Sequence, residues 1–396
     1  MIRAASLGLC ALGAAMTLAP APTLGADAVG GARLERLAFS DLPGWAQDDH
    51  AAALAAFRLT CPLVIEGRAA LRPAALASGD LAAACRAALE LSENAPAETA
   101  RAFFETWFTP HRVRPPGGAG FLTGYYEPEL AGALHPTARF ATPLRARPAA
   151  LVSLAEGETR PGLDPILRAA LPDGAGGHRP VPTRAAIEEG ALDADAPPIV
   201  WLEQPGEAFI VHVQGSARIR LEDGRVLRVG YAGRNGHPYT SIGRLLVERG
   251  AIDKDAMSLE RLLAWLRDHP KEARALMREN ASYIFFRLLE DHDPALGPVG
   301  GAGTPLVPHR SLAVDRTLWP YGLPVWLDGA IPDAEGREAP LARLMIAQDT
   351  GSAILGPARG DYFAGSGAQA GTQAGLIRHR VSFVALLPRP RPEALP

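Results

Sequence analysis

The sequence predicts an α+β protein, mainly β with helices, whose strands close into a small barrel. From residue 199 onward, short apolar or alternating runs such as "IVWLE", "RIRLEDGRVLRV" and "RVSFVALLP" are punctuated by glycine, which suggests strands of about four to seven residues. The 41 glycines and 36 prolines, about a fifth of the chain, favour a turn-rich fold over a helical bundle. At 396 residues and 47% hydrophobic, the chain has enough apolar side chains for a buried core and enough length for two or three domains.

The first residues read as an export signal. Arg3 supplies a positive start, "AASLGLCALGAAMTLA" is apolar but short for a bilayer span, and Ala26 is a suitable last residue before cleavage. The alternative is an uncleaved anchor helix. Cys10 follows Leu9, too large for the usual lipoprotein cleavage site, so a lipid anchor is not expected. The mature chain is expected to have no transmembrane segment.

Residues 27 to 110 are expected to be helical in pieces. "DDHAAALAAFRLTC", "DLAAACRAALELS" and "AETARAFFETWF" each place apolar residues at three-to-four spacing. "GFLTGYYEPELAG" reads as a strand running into a cleft loop, and a Pro-rich connection covers about 135 to 200. The stretch "AFIVHVQGSARIRLEDGRVLRVGYAG" reads as β throughout, with Asp223-Gly224 turning a hairpin. "SIGRLLVERG" and "SLERLLAWLRDHPKEARALMREN" are helical, Pro270 opening a new helix at its first turn. "ASYIFFRLL" is a buried strand, and the last hundred residues return to strands and loops before a Pro/Arg-rich tail.

A net charge of −3 lacks the basic excess of a nucleic-acid binder. The ten histidines show no HExxH or close ligand grouping, and no phosphate loop or dinucleotide fingerprint occurs, so neither metal nor cofactor is expected. Export would leave Cys61 and Cys85 as the cysteines of the mature chain. A disulfide between them closes a loop of about 25 residues, for about 3 kcal/mol; two buried thiols are the alternative.

Asp349-Thr350-Gly351-Ser352 is the tetrapeptide expected around an aspartic protease carboxylate. That chemistry needs two such motifs, or a symmetric dimer of one, because two carboxylates share a proton. The chain has one copy, with polar Gln348 before it, and is far longer than a dimeric protease of that kind. A tight turn after a strand favours the same residues.

A wider window gives a better match. Asp315 lies in "SLAVDRTLWPYGLPVWL", Asp349 in "MIAQDTGSAILG" and Asp361 in "RGDYFAGSG". Upstream come "TGYYEPEL", "VQGSARIRLEDG", "VGYAGRNGHPYTSIGRLL" and "NASYIFFR". In this order, over roughly 120 to 390, these blocks resemble the membrane-bound lytic murein transglycosylase A (MltA) family with its C-terminal three-aspartate domain. Ser352 stands where the family pattern leads one to expect glycine.

The resemblance implies a double-psi β-barrel domain with a second β-rich domain inserted and a glycan groove between them. The expected division is a signal peptide at 1–26, N-terminal helices and the first part of the barrel at 27–128, and the inserted domain at 129–290. The rest of the barrel follows at 291–388 and a tail at 389–396. It also implies an exported lyase of the periplasm, associated with the outer membrane. Its substrate would be peptidoglycan glycan strands and its partners other cell-wall enzymes. Cleavage of the β-1,4 bond between N-acetylmuramic acid and N-acetylglucosamine would leave 1,6-anhydromuramoyl ends.

The family's catalytic aspartate maps onto Asp361, with Asp349 and Asp315 supporting. Two alternatives stand beside that assignment: Asp361 capping a turn, or Asp349 as the acid. One carboxyl suffices if the sugar's own C6 hydroxyl attacks, since a tethered nucleophile has a high effective molarity. A two-carboxylate glycoside hydrolase and a non-catalytic peptidoglycan-binding protein are the competing functions.

Thr123, Tyr125 and Tyr126 are candidates for sugar contact. On a strand, neighbouring residues face opposite ways, so only one of the two tyrosines should meet ligand. Gln214 and Ser216, read as sharing one strand face, and Tyr231 and Asn235, near a glycine-rich bend, complete the candidate substrate-binding set.

Overall fold

The computed structural model describes residues 28–390 except 156, 290–292, 294 and 334. The export signal expected at 1–26, with Cys10, and most of the tail lie outside the described residues. Short strands β1 (Ala28–Val29) and β2 (Ala32–Arg36) precede helices α1 (His50–Glu66), α2 (Gly79–Glu90) and α3 (Ala97–Trp107). The expectation of helical pieces in this region names no edge ribbon, whose short, partly exposed strands carry almost no hydrophobic pattern.

Asp49 and Ser78 cap α1 and α2 by accepting from Ala52 and Leu81 N–H. Cys61 of α1 and Cys85 of α2 are joined as a disulfide, their Cα atoms 5.0 Å apart. Phe57, Phe103, Phe104 and Phe108 form the apolar seam between these helices and the sheet residues Trp326, Leu344, Ile346 and Val384.

The chain continues through β3 (Phe108–Arg114), β4 (Gly120–Glu127), β5 (Glu129–Ala133), β6 (Thr142–Arg145), β7 (Val152–Ser153), β8 (Ala169–Pro172), β9 (His178–Pro180), α4 (Arg184–Glu188) and β10 (Pro198–Leu202). Next come α5 (Pro205–Gln214), β11 (Ser216–Arg220), β12 (Val226–Arg234), α6 (Ile242–Glu248), α7 (Leu259–Asp268), α8 (Pro270–Glu279) and β13 (Ile284–Leu289). The last elements are β14 (Ser311–Val314), β15 (Pro324–Pro332), β16 (Glu338–Asp349), β17 (Arg359–Ser366), α9 (Ala368–Leu376) and β18 (Arg378–Pro388).

Six strands close a barrel in the order β18-β15-β16-β14-β17-β4 and back to β18. Strands β14 and β16 pair in parallel, as do β17 and β4; the other neighbours are antiparallel. Strand β18 is long enough to pair β4 near its start and β3 near its end, which carries the edge ribbon. Leu122, Val314, Trp319, Leu327, Met345, Tyr362 and Phe383 fill the core.

Between β4 and β14 the chain builds a second sheet, β13-β12-β11-β5-β10-β6, and a bridge between Ala146 and Phe286 brings its two edges together. This is the barrel with a β-rich insertion that the resemblance implies. No helix among the described residues is long and apolar enough to cross a membrane.

Three local expectations change. Residues 205–214 form helix α5 instead of strand, opened by Pro205 and closed by Gly215 in the left-handed region at φ 83°. Gln214 and Ser216 therefore share no strand face. Strands β15, β16 and β18 run to 9, 12 and 11 residues, longer than the glycine punctuation suggests. Gly329 does not break β15: a Cβ there would stand 3.3 Å from the Arg380 carbonyl oxygen, so glycine admits close strand packing. Helix α9 was not expected. It lies directly on β4 because Gly124 and Gly371 lack side chains; a Cβ at either would stand 2.7 Å from Ala374 Cα or the Tyr126 ring.

Candidate active site

Strands β4 and β17 run in parallel with Arg359 opposite Phe121, Asp361 opposite Thr123 and Phe363 opposite Tyr125. Alternation turns Leu122 and Tyr362 into the barrel core and leaves these three pairs on the other face. Asp361 is thus a mid-strand residue, not a turn cap.

The Thr123 hydroxyl donates to Asp361 Oδ1 at 2.5 Å and accepts from Arg359 Nη2 at 2.7 Å. Asp361 keeps partial exposure. Burial, the largest influence, raises its carboxyl from 3.8 to about 6; the Thr123 bond and the Arg359 charge pull down, and the Asp349 charge pushes up.

Asp349 ends β16 and is held from three sides. Its Oδ1 accepts from Gly301 N–H at 2.7 Å and Thr350 N–H at 2.8 Å, and its Oδ2 accepts from Tyr125 Oη at 3.0 Å. Gly301 has no room for a side chain, since a Cβ would stand 2.5 Å from Tyr321 Oη. The Tyr125 ring packs on Phe363, with centroids 5.2 Å apart. Burial and the two aspartates hold the Tyr125 phenol protonated, so it serves as a donor.

Asp315 is engaged elsewhere. It accepts from Thr317 N–H and Oγ1 at 3.0 and 2.7 Å, and from Gly356 N–H at 2.7 Å, tying two loops of the barrel.

The sequence profile of the MltA specific insert domain matches residues 121–287, and that of the 3D domain matches 310–387. The crystal structure of a membrane-bound lytic murein transglycosylase from Agrobacterium tumefaciens is 38% identical, covers 90% of this chain and 98% of its own, and superposes with a TM-score of 0.80. The chain belongs to the MltA family.

MltA from Neisseria gonorrhoeae is 33% identical over 93% of this chain and 96% of its own, with a TM-score of 0.75. Membrane-bound lytic murein transglycosylase A of Vibrio cholerae is 38% identical over 203 residues, 50% of this chain. The chain spans about half the length, 54%, of that curated relative.

On this MltA framework the remaining candidates separate. Tyr126 faces away from Tyr125, into the core beside α9, and burial raises its phenol to about 12. Tyr231 comes from the inserted sheet and lies under the Arg72 guanidinium, 4.3 Å from carbon to ring centroid. Arg72 also donates to the Thr350 carbonyl at 2.8 Å, so it links the inserted sheet to the aspartate loop. Gln214, at the end of α5, accepts from Tyr126 N–H at 3.3 Å, and Ser216 is buried at the start of β11.

Asn235 is not available to a sugar. It is fully buried, its Nδ2 donating to Pro182 and Ala281 carbonyls and its Oδ1 accepting from Tyr283 and His237 N–H. An asparagine near a bend serves the backbone here.

Arg359, Arg72, Gly301 and Tyr321 escaped the sequence reading. Arg359 carried a usable signal, since two-residue spacing on a strand puts it on the Asp361 face. Arg72 carried none.

Proposed function

We propose that this chain is a lytic transglycosylase of peptidoglycan, cleaving the β-1,4 bond between N-acetylmuramic acid and N-acetylglucosamine. The observation that carries this reading is the asymmetry of the carboxyls: Asp361 is raised to about 6 and partly open, while Asp349 is occupied by three donors.

With a pKa of about 6, about a tenth of Asp361 is protonated at pH 7, against about a thousandth for an ordinary aspartate. Protonated Asp361 delivers its proton to the glycosidic oxygen as the C1–O4 bond breaks. The muramic C6 hydroxyl attacks C1 of the same sugar, forming the C1–O6 bond. Asp361, now carboxylate, takes that hydroxyl's proton and is restored, so no water is consumed. Asp349 contributes fixed negative charge that keeps Asp361 a proton donor and favours the cationic sugar in the transition state. Asp315 acts through the loops it ties.

We further propose export to the periplasm and action alongside other cell-wall enzymes near the outer membrane, supported by the N-terminal apolar stretch of the sequence and the membrane-bound relatives. Digesting purified glycan strands and weighing the muramic ends tests the reaction. Anhydro ends, lighter by one water, from wild type but not from Asp361→Asn are expected. Reducing ends mean hydrolysis by two carboxylates, and binding without cleavage means a binding protein.

A further inference from the structure

A cavity of about 590 Å³ opens between α5, α6 and α7 of the insertion and the start of β18. Its floor is apolar, with Phe209, Ile210 and Met257 among the lining residues. Arg244, Lys254 and Arg378 also line it, all exposed, and no carboxylate is among the described lining residues. Arg244 pairs with Glu248 at 3.5 Å on an exposed helix face, a weak pair, so the charged side chains lining the cavity are cations.

The cavity's position relative to the acid follows from register. Arg378 is the antiparallel partner of Thr123, and Thr123 is the parallel partner of Asp361. Partners across a sheet share a face, so Arg378, Thr123 and Asp361 stand in one row. Two strand spacings put the Arg378 Cα about 10 Å from that of Asp361. An extended peptide of about three residues spans that distance.

We propose that this cavity binds the stem peptide of the muramic acid at the cleaved bond, its carboxylates meeting Arg378, Lys254 and Arg244 and its alanine methyl groups the apolar floor. The inference rests on the lytic reading. The peptide is an anion tethered to the reacting sugar, so a weak site acts at high effective concentration and positions the strand.

The test pairs two measurements on the full mature chain. Calorimetric titration uses the free stem tripeptide, L-Ala-D-Glu-diaminopimelate, with decanoate as a control anion. Cleavage is measured as kcat/KM on peptide-bearing strands and on strands stripped of peptide. Lys254→Glu and Arg244→Glu, at exposed positions, are expected to abolish tripeptide binding. They should lower kcat/KM on peptide-bearing strands by about tenfold and leave bare strands within about twofold. Equal loss on both substrates, no tripeptide binding by wild type, or equal binding of decanoate overturns the proposal. If wild type cleaves neither strand, the lytic reading fails, and the titration still judges the cavity: tripeptide binding lost in the variants supports it, and no binding overturns it.

Discussion

Replacing Thr123 by valine removes one hydroxyl and should move the pH limit of cleavage upward. The Thr123 bond to Asp361 Oδ1, 2.5 Å long, favours the carboxylate, so its loss favours the protonated acid. A hydrogen bond to a charged group is worth about 1.5–3 kcal/mol, or about one to two pH units of proton affinity. Arg359 offsets part of this: freed from Thr123, its guanidinium is left to face Asp361. The net rise is therefore about one pH unit above the wild-type value.

In the proposed mechanism Asp361 must carry a proton to start the reaction, so kcat/KM should fall once pH exceeds about 6. In Thr123→Val the falling limb should move up by about one pH unit, with a lower plateau because a weaker acid transfers its proton less readily. Initial rates of strand release from about pH 4 to 9 resolve the limb. A limb that stays in place, or moves to lower pH, refutes the assignment of Asp361 as the titrating acid.

Asp349→Asn should move the same limb the other way, since the lost negative charge had been raising Asp361; a pH–rate profile with an unshifted or raised limb contradicts this. Asp361→Asn should stabilise the fold at neutral pH. The folded carboxyl holds its proton up to about 6 against 3.8 ordinarily, so native stability falls as pH rises through that window and the deficit is full above it. Urea unfolding should show a gain of up to about 3 kcal/mol at about pH 7.5 that vanishes near about pH 4. Glu127 is fully buried between Arg218 at 3.0 Å and Arg228 at 2.8 Å, where β4 leaves the barrel for the insertion. Glu127→Gln should cost about 3–5 kcal/mol in urea unfolding, because it removes the buried counter-charge that the two guanidiniums share.

Much of the fold was legible where local and tertiary preferences agree. The Asp223-Gly224 hairpin follows from alternation around a turn, and Pro270 opens α8 as its missing N–H allows. Helix α5 differs from the expected strand because "AFIVHV", apolar except for His212, suits a strand equally well; its end signals, Pro205 and Gly215, are the better guide. Helix α9 is mostly alanine, glycine and glutamine with little apolar period, and what secures it is the glycine contact with β4, which lies far away in sequence. The same distance hid the site's wiring. Asp361 was visible in its motif, but its bond to Thr123 joins residues 238 positions apart, and Arg72 reaches Thr350 across 278.

Cleavage in heavy-oxygen water tests the central claim most directly, because a lytic reaction uses the sugar's own C6 hydroxyl and a hydrolysis uses solvent. Mass spectra of the new muramic ends should show anhydro products with no heavy oxygen incorporated during turnover. One heavy oxygen at C1 of each new end would mean that water is the nucleophile, and that a second carboxylate, not the substrate, completes the site.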